Sequence, residues 1–203
     1  WTALSAVHAI GARMLTVRIL DSLAEVPPAA WDGLHDGSNP FVAHAFLEGL
    51  ERHGCLRPQW GWTPHHLTLW GGEALVGAAP GSLKANSRGE LGFDHAGAHA
   101  YAQYGQEYFP KLLAAVPYSP VTGPRLLGAD EHRPALLEAM VDAARRRDLS
   151  SAHVNFHTAA EDEAFGPDWM QRIDVQYHWR NDAGWPDFDA FLAALDRRRR
   201  KNI

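Results

Sequence analysis

One cysteine, Cys55, stands in 203 residues, which excludes an internal disulfide framework and any Cys-based zinc finger and leaves a reducing interior as the default compartment. No apolar run approaches the roughly 18 residues that a transmembrane helix needs. There is no G-x-S-x-G elbow, no P-loop and no G-x-G-x-x-G fingerprint, so hydrolase, NTPase and dinucleotide-binding readings lose their main support. Positive charge is scarce in the body of the chain. The net charge is −5, yet five of the 19 basic residues fall at 197–201, so residues 1–196 carry −10. A body that acidic argues against DNA or a broad nucleic-acid face, which needs clustered cations to displace counterions.

What is present is a globular composition, 46% hydrophobic and 21% charged, of a length that suits one ordinary domain or two small ones. Residues 1–13 carry only Arg13 as a cation, after the apolar stretch, which is the wrong polarity for a secretory signal. A cytoplasmic location is therefore expected, with residues 1–14 an upstream extension of no function.

Strand and helix signals alternate along the chain. Strands are expected at 15–20, 65–70, 74–79, 90–94, 120–127, 151–156 and 173–180, with Gly71-Gly72 joining the second and third as a hairpin. The last of them pairs Ile173, Val175, Tyr177 and Trp179 with Asp174, Gln176, His178 and Arg180 in strict alternation, the mark of a half-buried strand. Helices are expected at 27–34, from the Asn39 cap to Gly54, at 97–104, 106–115, 134–148 and 159–165, and after Asp187. Leu136, Leu137, Met140, Val141 and Ala144 form a buried stripe on the best of them. Antiparallel strands first and helix-separated strands later point to an α/β fold, a mixed sheet with helices on both faces.

The twelve histidines raise the question of a metal, and none is expected. Asp94, His95 and His99 lack an H-E-x-x-H signature and are interrupted by Gly97, while His153 and His157 lie too far apart along one strand to share an ion. Cys55, just past a helix stop, reads as an incidental thiol. The informative block is 84–125, where Tyr101, Tyr104, Tyr108 and Tyr118 gather beside Asp94, Lys111, Thr122 and Arg125, a composition suited to a polar cleft.

Several motifs follow one another in order: Asn39-Pro-Phe41 with His44-Ala-Phe-Leu47, Gly61-Trp-Thr-Pro-His65, Gly89-Glu90 with Phe93-Asp94, Tyr108-x-Pro-Lys-Leu112 and Pro120-Val-Thr-Gly-Pro-Arg125. Together they resemble the FemAB-like, GNAT-fold proteins of peptidoglycan biosynthesis or recognition, from about Leu15 to the end. The resemblance implies an acyl-CoA N-acyltransferase (GNAT)-like domain over 15–196, the first of a tandem pair. Residues 197–203 would then be a basic helix leading to a C-terminal half as partner. It also implies two splayed parallel strands, with an acyl thioester or aminoacyl ester in the gap and backbone N–H groups steadying the oxyanion.

The implied activity is transfer of an acyl or aminoacyl group to the amine of a small molecule or peptidoglycan precursor. From residue chemistry, Asp94, Tyr101 and Tyr108 are the candidate catalytic groups, and Lys111, Thr122 and Arg125 the candidate substrate binders. The implied donor is acetyl-CoA or another acyl-CoA. The Gln/Arg-x-x-Gly-x-Gly/Ala loop that holds a pyrophosphate in ordinary GNAT enzymes does not occur in this chain, so aminoacyl-tRNA is the alternative donor. Two other classes stay open: a non-catalytic module that binds peptidoglycan precursors, and a structural half-domain.

Overall fold

A computed structural model describes residues 7–10, 13–92 and 94–202. Phe93 of the Phe93-Asp94 pair lies outside these, as do residues 1–6, 11 and 12 of the upstream segment. Two compact units are present, and the boundary between them follows Trp169, inside the span 15–196. The first contains β1 (Val7–Ile10), β2 (Arg13–Leu20), α1 (Pro28–Asp32), α2 (His44–Arg52), β3 (Trp62–Pro64), β4 (His66–Gly71), β5 (Ala74–Ala79) and β6 (Gly81–Lys84). It continues with α3 (His95–Gln103), β7 (Lys111–Ala114), β8 (Leu127–Gly128), α4 (Arg133–Arg146) and β9 (Ala152–Val154). The second, Met170–Ile203, holds α5 (Phe188–Ala194) and α6 (Arg197–Arg200).

The first unit is α/β with two sheets where one was expected. The larger runs β1-β2-β4-β5-β8, all antiparallel; the smaller runs β3-β6-β7-β9. Both come from one long hairpin. Gly72, at φ +66, turns β4 into β5 through a two-residue loop. Further along, His65 and Pro80 interrupt the two arms, which then continue as β3 and β6 in the second sheet. At that break His65 N donates to Gly81 O at 2.8 Å, and a Cβ on Gly81 would lie 2.4 Å from the His65 carbonyl oxygen, so only glycine permits the crossing.

Helices cover both faces of the larger sheet, as the alternation in β4 dictates. Leu67 and Leu69 join Leu136, Met140 and Ala143 of α4 on one side. On the other, Ala78 and Leu127 pack with Trp31 of α1 and Leu47 of α2. Each fully buried leucine is worth roughly 1.5–3 kcal/mol of transfer free energy. In the smaller sheet Leu112, Ala114, Ala152 and Val154 also pack towards the α4 cluster.

Four sequence expectations need correction. Residues 106–115 are not a helix: Leu112, Leu113 and Ala114 are buried on both faces of β7, and a short, continuously apolar run does not distinguish a buried strand from a helix. Of the strand expected at 90–94, the described residues 90–92 and 94 form none, Glu90 and Asp94 turning their carboxylates to Lys111 instead, and Phe93 lies outside the described residues. The strand expected at 120–127 is a loop until Leu127, and residues 173–180 form no strand and pair with none among the described residues. The fifth finding concerns the implied gap between parallel strands. The parallel pair found among the described residues, β7 with β9, is closed: Leu112 N donates to Ser151 O at 3.0 Å and Asn155 N to Ala114 O at 2.9 Å, at either end of the register.

Candidate functional site

Strand register makes the first half of the site. Residues directly opposite in a sheet share a face, and Trp62, Lys84 and Lys111 are mutually opposite across β3, β6 and β7. Two fully buried lysines thus stand side by side on the face turned away from α4. Like charges so placed repel, and the chain answers with Glu90, from the turn after β6, and Asp94, from the residue before α3.

Lys111 Nζ lies 3.0 Å from Glu90 Oε2 and hydrogen-bonds Asp94 Oδ2. The contact with Glu90 is a buried ion pair, and the other oxygen of this carboxylate, Oε1, has no hydrogen-bond partner among the described residues. Lys84 Nζ donates to the Arg88 carbonyl at 2.9 Å and sits 3.8 Å from the centre of the Trp62 ring, a cation–π contact. Gly89, at φ +76, lets the backbone turn between these groups; a Cβ there would lie 2.6 Å from the Tyr118 ring.

The outer end of the cluster is aromatic. Tyr108 hydrogen-bonds Asp94, its ring lies 5.1 Å from Lys111 Nζ, and Tyr101 meets it edge-on at 5.1 Å. The Tyr108 hydroxyl is 3.4 Å from His153 Nε2, which is also 2.8 Å from Ser151 Oγ. Asp94 is almost wholly buried, while Tyr101, Tyr108 and His153 are half-buried and form the rim.

Ionisation follows from this layering. Burial pushes the Asp94 carboxyl up, but the hydrogen bond and charge of Lys111, aided by His153 and Tyr108, together hold it below the ordinary carboxylate value. Glu90 moves the other way, raised by burial and by the Asp94 charge against the pull of Lys111. Burial lowers Lys84 to about 8, with Lys111 adding to the effect, and lowers His153 to about 4, keeping that imidazole neutral. Burial and the Asp94 anion raise the Tyr108 phenol.

Of the residues expected from sequence, the fold brings together Asp94, Tyr101, Tyr108 and Lys111. Thr122 and Arg125 are engaged elsewhere. Thr122 is exposed, and its carbonyl accepts from Asn39 Nδ2 at 3.4 Å. Arg125, read as an anion binder, is fully buried, and its guanidinium donates to the carbonyls of Val121, Pro124 and Asn155. Its backbone N–H and that of Leu126 meet Glu161 Oε1, so Arg125 shapes the loop into β8. Sequence reasoning missed Lys84, Glu90 and His153. The chain has only three lysines, and two of them at the ends of apolar strand runs was the available signal.

Among the described residues no group of three or more His, Cys, Asp or Glu is placed to hold a metal ion, and no helix is long and apolar enough to cross a membrane. The model of a family described as FemAB-like, peptidoglycan biosynthesis/recognition, matches residues 22–203. No curated protein and no solved structure matches the chain.

Proposed function

Because the chain belongs to the FemAB-like family of peptidoglycan biosynthesis and recognition, we propose that it transfers an acyl or aminoacyl group to an amine of a peptidoglycan precursor, with Asp94 receiving that amine. The observation that carries this reading is a carboxylate hydrogen-bonded by Lys111 and Tyr108 at the outer end of a buried charge cluster, next to the Tyr101–Tyr108 ring pair. An incoming ammonium pairs with Asp94 and lies against the Tyr101 and Tyr108 rings. In the reaction the amine nitrogen bonds to the acyl carbon, the donor's C–O or C–S bond breaks, and the nitrogen, bound as an ammonium, gives up two protons: one to solvent before attack, and one afterwards, through Asp94, to the departing oxygen or sulfur. An alkylammonium holds its proton far more tightly than a carboxylate does, so the first proton leaves to water and the small neutral fraction of the amine, held by Asp94, is what attacks. Once the C–N bond forms, the nitrogen becomes acidic and a carboxylate suffices as acceptor. Lys111 steadies the anion, and Tyr108 orients it.

The donor's phosphates find no support here. Acyl-CoA and aminoacyl-tRNA both carry them, yet Lys111 is locked between two carboxylates and Arg125 between carbonyls. These residues do not fit a coenzyme A pyrophosphate, and the donor is proposed only by class, an activated acyl ester or thioester. The closed β7–β9 pair favours a second reading, a module that binds the precursor without transfer.

Calorimetry with an amine-bearing precursor peptide and with its N-acetylated form tests the first step. The free amine is expected to bind and the acetylated form to fail; equal affinity for both would remove Asp94 from the site. Asp94→Asn is expected to weaken binding of the free amine at least tenfold, while Lys111 keeps Glu90 as its partner and the fold survives. Product formation from an added acyl donor separates transfer from binding alone.

A further inference from the structure

Residues 170–180 belong to no helix or strand, yet they carry the most regular alternation in the chain. Ile173, Val175, Tyr177 and Trp179 are 84%, 71%, 98% and 67% exposed. The apolar surface continues through Trp179 into a groove of about 450 Å³ walled by Trp179, Trp185, Phe188 and Phe191. There the two indoles lie within 19° of parallel, 6.5 Å between centres, and Phe191 meets both edge-on at 5.7 and 5.1 Å. A contiguous apolar surface of this kind marks an interaction site.

We infer that residues 173–181 form a strand that pairs antiparallel with the same segment of a second copy, about a two-fold axis at Tyr177. Charge selects both the partner and the register. Residues directly opposite in an antiparallel pair share a face, so a symmetric pairing that keeps apolar against apolar must centre on one residue. Centred on Tyr177, it sets Val175 against Trp179, Asp174 against Arg180 and, at the flanks, Arg172 against Asp182, each contact occurring twice. A shift to Gln176 puts Arg172 against Arg180, and a shift to His178 puts Asp174 against Asp182. Both are repulsive, so the Tyr177 register stands alone among its neighbours.

Within one chain the same charges already alternate along the segment. Arg172 lies 3.9 Å from Asp174, and Arg180 lies 3.5 Å from Asp182. Pairing two copies turns these into ladders of alternating sign. A bare two-stranded ribbon is marginal in water; here its apolar face runs into the aromatic groove through Trp179, which supplies the missing cover. Among the described residues the segment pairs with no strand, and its strand pattern is left without a ladder.

The register has an unusual test. Asp174→Arg alone sets arginine against arginine at both ends of the ribbon, and Arg180→Asp alone sets aspartate against aspartate. Both positions are more than half exposed, so neither change disturbs a core. By analytical ultracentrifugation of the whole chain, the unaltered protein is expected to dimerise and each variant to dissociate at least tenfold more readily. An equimolar mixture of the two variants is expected to associate again, because every opposed pair in the heterodimer is of unlike charge. An unaltered chain that stays monomeric at every concentration overturns the inference and leaves the surface to a different partner. Variants that dimerise unchanged, or a mixture that fails to recover, overturn the register and with it the proposal. None of these residues belongs to the Asp94 site, so the outcome is independent of the transfer reading.

Discussion

Replacing Lys111 with methionine tests whether one buried cation holds the site together. Lys111 Nζ faces Glu90 at 3.0 Å and bonds Asp94, and both Lys111 and Glu90 are fully buried. At an effective dielectric of about 20, an ion pair at that separation is worth roughly 5–6 kcal/mol of Coulomb attraction. Desolvation of the two charges offsets much of this, so the intact pair contributes little net stability. Removing one partner is different, because two carboxylates remain buried without their cation, and the expected loss is about 3–5 kcal/mol. Methionine keeps the length and apolar stem of lysine, so the change reports charge and not a cavity. The loss should also depend on pH. With Lys111 present, Asp94 titrates below its ordinary value and adds stability that is lost as pH falls through its folded pKa. Without Lys111, burial raises both carboxyls; the variant is then most stable below about pH 4, where they are protonated even when unfolded, and loses stability as pH rises through the raised values. Urea unfolding followed by circular dichroism at pH 7 and pH 4.5 measures both. A loss under 1 kcal/mol at pH 7, or a deficit that does not shrink on acidification, would refute the reasoning.

Two further outcomes concern the scaffold around the site. Glu161 is buried and accepts four hydrogen bonds, from Arg125 N, Leu126 N, Thr158 N and Thr158 Oγ1; Glu161→Ala is expected to lose about 2–4 kcal/mol in chemical denaturation, since buried donors are left unmet, and no change would show that the loop into β8 stands without it. Gly81→Ala drives a methyl against the His65 carbonyl at the junction of the two sheets, and thermal unfolding should register a cost of about 1–3 kcal/mol; an unchanged Tm would mean that the crossing relaxes freely.

Much of the fold was readable where a local rule suffices. The hairpin around Gly71-Gly72, the long apolar stripe of α4 and the Asp187 cap, which accepts from Ala190 N, each rest on a few neighbouring residues. Periodicity failed at β7, where Leu112 and Leu113 are buried on opposite faces and no alternation survives. It also failed in another sense at 173–180, where the pattern is that of a strand but the segment pairs with no strand among the described residues. Half of the site was readable, because Asp94, Tyr101, Tyr108 and Lys111 sit in one polar block of sequence. Lys84, Glu90 and His153 were not, since their meeting depends on the β6–β7–β9 register, which nothing local specifies. Arg125 shows the opposite failure: its chemistry suits an anion, but a buried guanidinium among backbone carbonyls is already satisfied.

The cluster is hard to account for as a stabilising device. A buried ion pair replaced by apolar residues of similar volume is commonly neutral or even stabilising, so a fold held together for stability alone has no use for two lysines on adjacent strands. Glu90 sharpens the point, since a buried carboxylate with one oxygen, Oε1, left without a hydrogen-bond donor among the described residues is a net cost. What the arrangement does achieve is electrostatic. Lys84 and Glu90 sit behind Lys111, Lys111 sits behind Asp94, and alternation of charge from the interior outwards leaves an anion just beneath the aromatic rim, its carboxyl held below the ordinary value despite its burial. A single exposed aspartate would be ionised too, but it would be hydrated and mobile. Here the carboxylate is fixed by Lys111 and Tyr108 and backed by the first turn of α3, whose N-terminal amides also favour negative charge. On the proposed reading, a fixed anion beside the Tyr101–Tyr108 pair selects a cation that carries an apolar stem, and a primary amine on a short aliphatic side chain has both properties.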